Sequence, residues 1–253
     1  MRASPPEGAG RWQTDGMARY PSTIMVSCVV PWDEREEIDR ARFDVQVRAA
    51  IAAGYRHLYV FGTAGEGYAV DTRRFVEVVE AFRDATAGPD LAPMVGVIAL
   101  STATVIERIR LAHERGFRAF QLSFPRWDVL RDAEVERFFR DVCGAFPDSV
   151  FMHYNTGRVG RILGAAHYRP WIEAVPNLVA TKTMTSDVVL VGRLEHVAER
   201  AAVTCVGVKE PGHRIEQRDV VVAGHGQQRG AEAVAKRLGG RGLRDRKSTR
   251  LNS

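Results

Sequence analysis

From residue 23 to residue 207 the chain repeats one pattern, a short apolar run followed by an amphipathic stretch, with a period of about 30 residues. The apolar runs are TIMVSCVV (23–30), HLYVFG (57–62), MVGVIA (94–99), AFQLSF (119–124), VFMHYN (150–155), LVATKT (178–183) and AVTCVG (202–207). Each has strand length and is rich in β-branched or aromatic residues. They are continuously apolar, as strands covered on both faces are. Between them the text turns helical. Residues 40–54 end at Gly54, and residues 71–88 start at the N-cap Asp71 and stop at Gly88. Phe75, Val78, Val79 and Phe82 fall on one helix face, as do Val135, Phe138, Phe139 and Val142 within 132–146. The stretch 101–116 is capped by Ser101 or Thr102 and closed by Gly116, and 186–200 follows the sixth run.

Strand and helix in this alternation mean βαβ units and a parallel sheet. Six or seven units fit a (β/α)₈ barrel better than an open doubly wound sheet, and SCVVPWDEREE after the first run lacks the glycines of a dinucleotide site. The expected fold class is therefore α/β, a TIM barrel incomplete at its C-terminal end. Residues 22–208 carry strands one to seven, and DVVVAG (219–224) is the candidate for an eighth. Residues 1–21 read as a flexible leader, with Met17 as an alternative start. Residues 209–244 read as an uncertain, frame-shifted remainder of the barrel, and DRKSTRLNS (245–253) as the translation of a sequencing adapter.

Charge sharpens that division. The 253 residues carry a formal charge of +5, but residues 209–253 hold 11 basic and 5 acidic residues, so the remainder is near neutral at −1. The basic tail has no Phe, Trp or Tyr on which bases could stack, which argues against a nucleic-acid partner. No run of apolar residues is long enough to cross a membrane, and no secretory signal opens the chain. Cys28, Cys143 and Cys205 are too scattered for a disulfide framework, so a cytoplasmic location is expected. His57, His113, His153, His167 and His196 form no metal-ligand spacing, so no metal and no cofactor are expected.

Active sites of such barrels lie where the strands end. The second run closes with Gly62-Thr63-Ala64-Gly65-Glu66-Gly67, whose small residues leave backbone N–H groups to face a carboxylate or phosphate, or simply make a Gly-rich turn. The fifth closes with His153-Tyr154-Asn155. Strand alternation puts Met152 and Tyr154 on one face and His153 on the other. Tyr154 could move protons there, or be a core tyrosine. The sixth contains Lys182, the sole lysine among residues 1–208 against 24 arginines. A primary amine can lose its proton when buried and attack a carbonyl, whereas a guanidinium cannot. A lysine snorkelling from the strand end or pairing with a glutamate is the plainer alternative.

GTAGEG after the second run, Tyr154-Asn155 with Gly157-Arg158 after the fifth, and Lys182 on the sixth resemble the dihydrodipicolinate synthase / N-acetylneuraminate lyase family of class I aldolases. The 28-residue step from Tyr154 to Lys182 and the PWDE after the first run fit as well. The resemblance covers roughly residues 22–200. It implies a (β/α)₈ barrel, a homo-oligomer (dimer or tetramer) and action on pyruvate or another 2-oxo acid with an aldehyde partner. It further implies that Lys182 forms the Schiff base and Tyr154 shuttles protons. Thr63 with the amides around Ala64 and Gly65 would bind the substrate carboxylate, and Arg158 would meet a second acidic group. This chain departs from the family pattern at Ala64, where a second hydroxyl residue is common. It departs again at Phe124-Pro125-Arg126-Trp127, which lacks a tyrosine, and in having no clear strand-eight glycine turn. A hydratase-aldolase for larger aldehydes, a catalytically silent or regulatory barrel and a tail that binds nucleic acid are the competing readings.

Overall fold

The computed structural model describes residue 20, residues 23–184, residue 193, and the backbone of 206–207 and 219–220. Apart from Tyr20, which is buried, the leader lies outside the described residues, as do the expected helix over 186–200 apart from residue 193 and nearly all of the basic tail.

Six parallel strands run in sequence order: β1 (Ile24–Cys28), β2 (His57–Val60), β3 (Ala92–Gly96), β4 (Ala119–Leu122), β5 (Val150–Asn155) and β6 (Leu178–Met184). Crossover helices α1 (Arg40–Ala52), α2 (Thr72–Ala85), α3 (Thr102–His113) and α4 (Asp132–Gly144) join the first five. Their starts follow from local chemistry. Asp39, Asp71 and Ser101 each accept a hydrogen bond from the backbone N–H three residues on, which satisfies one orphan donor of the helix N-terminus. The cap of α3 is thus Ser101, not Thr102. Gly54 and Gly116 follow their helices with φ of +95°, the left-handed conformation that glycine takes at least cost. Between β5 and β6 lie a 3₁₀ turn (Gly157–Val159) and two single-turn helices, α5 (Ala165–Tyr168) and α6 (Trp171–Ala174).

Alternation along the strands divides the buried side chains into two sets. Outward residues such as Leu58, Val60, Val95, Phe120, Leu122 and Phe151 meet the helix stripes Phe75/Val78/Val79/Phe82 and Val135/Phe138/Phe139/Val142 in one large core. Inward residues Met25, Tyr59, Met94, Ala119, Val150, Met152 and Ala180 form a second cluster inside the curved sheet. The expected βα alternation is therefore present as a half-barrel that presents a concave inner face.

The closing strands differ from expectation. β7 (Val206–Gly207), the end of the seventh run, pairs parallel to β1. Of DVVVAG, the described residues are β8 (Asp219–Val220), which runs antiparallel against β6 rather than parallel. Residues 208–218 give 11 residues between β7 and β8, and a parallel crossover needs a dozen or more. A link of this length suits the antiparallel return, which has no such minimum.

Candidate active site

The inner face converges on Lys182. Its strand β6 pairs with β5 so that Lys182 lies directly beside Tyr154, and a register shift at Phe151/Met152 sets this pairing. Lys182 is 6% exposed and Tyr154 2%. The Lys182 ammonium sits 4.6 Å from the Tyr154 ring centroid, and Nζ donates to the Tyr59 hydroxyl at 3.0 Å. Its distance to the Tyr59 ring centroid is 5.2 Å. The Tyr154 ring and the Tyr59 hydroxyl thus hold the amine in a nearly water-free setting, and both lower the cost of burying it. The Thr63 hydroxyl donates to the Tyr154 hydroxyl at 3.4 Å, joining the turn after β2 to β5.

The turn after β2 is set by close backbone approach. Phe61 adopts φ of +63°, rare for a non-glycine residue, and stacks on Phe75 with centroids 5.2 Å apart. A Cβ on Gly67 would come within 2.7 Å of the Phe61 Cβ, and one on Gly96 within 2.3 Å of the Phe61 carbonyl oxygen. Two overlapping turns follow: Gly65 N–H donates to the Gly62 carbonyl and Glu66 N–H to the Thr63 carbonyl, both at 3.2 Å. The Gly65 amide is therefore engaged within the turn. The Ala64 amide has no partner among the described residues, and Ala64 is exposed. From below, Arg108 of α3 donates to the carbonyls of Gly67 and Val70 at 2.6 Å and to that of Ile98. Its guanidinium lies over the Phe75 ring at 5.2 Å, and burial pulls its pKa down from the usual arginine value.

Behind β5 and β6 a second polar cluster locks the strands. His153 points away from Tyr154, as alternation requires, and its Nδ1 lies 2.6 Å from the Tyr168 hydroxyl. That hydroxyl lies 2.9 Å from the Thr181 Oγ1, which donates to the His153 carbonyl at 3.1 Å. Burial pushes the His153 pKa down to about 3 and the Tyr168 pKa up. Asn155 trades two hydrogen bonds of 2.8 Å with the backbone of Leu163, which fixes the loop carrying Arg158. Arg158 itself is exposed on the 3₁₀ turn, and its carbonyl accepts from Arg126.

Of the residues expected to act together, the structure unites Lys182, Tyr154 and Thr63. It puts Ala64 and Gly65 on the adjoining turn and Arg158 outside the buried cluster, on the loop after β5. Tyr59 and Arg108 were not anticipated. The run HLYVFG reads as a plain buried strand, yet period-two alternation together with Gly62 singles out Tyr59, because a Cβ at Gly62 would lie 2.6 Å from the Tyr59 ring. The buried thiols Cys28 and Cys143 have pKa values raised by desolvation, to about 12 for Cys28, and make poor nucleophiles. Among the described residues no helix is long and apolar enough to cross a membrane, and no three His, Cys, Asp or Glu side chains converge as a metal-ligand set.

Residues 20–211 match the model of the dihydrodipicolinate synthetase family. A 4-hydroxy-tetrahydrodipicolinate synthase from Exiguobacterium sibiricum is 27% identical over 164 residues, which is 65% of this chain and 55% of the relative. The enzyme of that name from Synechococcus sp. is 26% identical over 160 residues, 63% of this chain and 52% of the relative. The chain thus spans about half the length of these curated relatives. Among solved structures, YagE from E. coli K12, described as a dihydrodipicolinic acid synthase family prophage protein in complex with pyruvate, has TM-score 0.67 at 16% identity. That match covers 72% of this chain and 63% of YagE. A putative dihydrodipicolinate synthetase from Pseudomonas aeruginosa has TM-score 0.68 at 21% identity, covering 73% and 63%.

Proposed function

The chain belongs to the dihydrodipicolinate synthetase family, and on that premise we propose that it is a Schiff-base-forming lyase or synthase acting on pyruvate or another 2-oxo acid. The observation that carries the proposal is the Lys182 ammonium group, buried between the Tyr59 hydroxyl at 3.0 Å and the Tyr154 ring at 4.6 Å. Lys182 Nζ gives up one proton and, now neutral, attacks the keto carbon; the carbonyl oxygen takes the proton that nitrogen sheds on attack to give a carbinolamine. That oxygen then takes up the first proton and leaves as water, so the protonated imine remains, an electron sink for the adjacent carbon. That carbon then releases a proton to form an enamine, which attacks an aldehyde; the reverse sequence cleaves a carbon–carbon bond. Tyr154, linked to Thr63 at 3.4 Å, is the group we assign to moving these protons.

The substrate carboxylate would be held by the Thr63 hydroxyl and the Ala64 amide, with the Gly65 amide shaping the turn from within. Arg158, on the loop after β5, would meet a second acidic group on the aldehyde partner. We further propose that the protein is cytoplasmic and acts as a homo-oligomer, which sedimentation at micromolar concentration tests. The catalytic test is borohydride reduction of the protein with pyruvate, followed by peptide mass analysis. The expected result is a reduced pyruvyl adduct on the Lys182 peptide, absent in Lys182→Arg. A folded wild-type protein without the adduct, or Lys182→Arg with undiminished turnover, overturns the Schiff-base mechanism and leaves a catalytically silent barrel as the better account.

A further inference from the structure

We propose that Gln121 and Ser27 form a polar floor within the half-barrel that selects a 2-oxo acid carrying a hydroxyl on its third carbon over one carrying an alkyl group there. The proposal rests on Lys182 forming the imine. On β4, Ala119 belongs to the inner cluster, while Phe120 and Leu122 belong to the helix-facing core. Gln121 therefore points inward. It is 0% exposed, and neither its amide oxygen nor its amide nitrogen has a hydrogen-bond partner among the described residues. On β1 the same alternation puts Met25 and Ser27 inward and Cys28 outward. The Ser27 hydroxyl is likewise buried without a partner among the described residues.

Both side chains stand beside the candidate machinery. Ser27 pairs in register with Tyr59, whose hydroxyl touches the Lys182 Nζ at 3.0 Å. Gln121 pairs with Met152, one pleat before Tyr154 on the same inner face, and on its other side with Gly96. The rest of the inner cluster is mostly apolar: Met25, Met94, Ala119, Val150, Met152 and Ala180. A buried amide with both ends unmet is destabilising where an apolar residue of the same shape would not be. Its place on the inner face, one pleat below the level of Tyr154 and Lys182, makes a ligand the natural partner. A primary amide offers a donor and an acceptor, and a serine hydroxyl offers both. A ligand hydroxyl, itself donor and acceptor, can meet either group, whereas a methyl group leaves both unmet.

Hydroxypyruvate and 2-oxobutanoate separate the two cases, because they have the same heavy-atom count and differ in a terminal hydroxyl against a methyl. The full chain is incubated with each acid, reduced with borohydride, and the rate of adduct formation on Lys182 is followed by mass. Wild type is expected to trap hydroxypyruvate at least about tenfold faster. Gln121→Leu should bring the ratio close to one, and Ser27→Ala should lower it in part. The ratio is read within each variant, so a general loss of activity cancels. Gln121→Met, of similar length, serves if Gln121→Leu does not fold. Equal trapping of both acids by wild type, or an unchanged ratio in the Gln121 and Ser27 variants, overturns the proposal alone. No adduct with either acid or with pyruvate overturns the imine mechanism and this proposal with it.

Discussion

Substitution of Gly62 by alanine probes the link between the turn after β2 and the Lys182 amine. The φ of Gly62 lies outside the left-handed region, so its backbone conformation accepts alanine. The obstacle is steric. The new Cβ would stand 2.6 Å from the Tyr59 Cε2 and 2.8 Å from its hydroxyl oxygen. Ordinary carbon contacts begin near ~3.5 Å, so the ring must retreat by about 1 Å. Tyr59 is 4% exposed and hydrogen-bonds at 3.0 Å to Nζ, so its ring has little room. Overpacking of this kind costs about 1–3 kcal/mol. The retreating hydroxyl also leaves Nζ, and a hydrogen bond to a charged group is worth roughly 1.5–3 kcal/mol. The two effects overlap, so we expect Gly62→Ala to lose about 2–4 kcal/mol in urea unfolding. A misplacement of about 1 Å should also slow imine trapping by up to roughly 100-fold. The control is a double-mutant cycle. In a Tyr59→Leu background the clash is relieved, and Gly62→Ala should add less than about 0.5 kcal/mol. Wild-type stability and trapping rate in Gly62→Ala, or an equal loss in both backgrounds, would refute a steric coupling through Tyr59.

Other expectations follow from the same geometry. Tyr154→Phe keeps the ring beside Lys182 but removes the hydroxyl, so turnover should fall by ~10²–10⁴; a change under about threefold in steady-state assays would take Tyr154 out of proton transfer. Arg108→Met strips three backbone carbonyls of their donor, and denaturant unfolding should show a loss of about 2–4 kcal/mol, with KM for the 2-oxo acid rising because Gly67 and Val70 belong to the same turn. His153 has a folded pKa of about 3 against an ordinary 6.5, so the unfolded chain binds the extra proton first. Its contribution is fully present above about pH 6.5 and is lost as pH falls from there toward 3, at up to about 1.4 kcal/mol per pH unit. His153→Leu should flatten that acid limb in pH-dependent unfolding, and an unchanged slope would remove His153 as its cause.

Much of this arrangement is legible in the chain because it depends on periodicity. The stripes of α2 and α4 and the inward Tyr154 with outward His153 follow from helix and strand geometry alone. Lys182 stands out by composition, since a chain that otherwise uses arginine put its one early lysine in an apolar strand. What escaped depends on contacts between distant segments. The left-handed Phe61 is held by Gly67 and by Gly96 on another strand, and no local rule forecasts that approach. The antiparallel pairing of β8 with β6 and the parallel pairing of β7 with β1 join segments far apart in the chain, which no local pattern forecasts.

Arg108 illustrates the harder case. In sequence it is one of 24 arginines before residue 209, at a helix position where solvated arginines are common. In the fold Arg108 is 5% exposed and its guanidinium satisfies carbonyls of Gly67, Val70 and Ile98, tying the turn after β2 to the segment after β3. Lysine could not replace it, because a single ammonium cannot span three carbonyls in a fixed fork. Arg108→Lys should therefore resemble Arg108→Met in unfolding experiments, with both less stable than wild type. Should the lysine variant match wild type, the charge would matter and the fork would not. The turn carrying Thr63 would then owe its shape to the glycines around Phe61 rather than to α3.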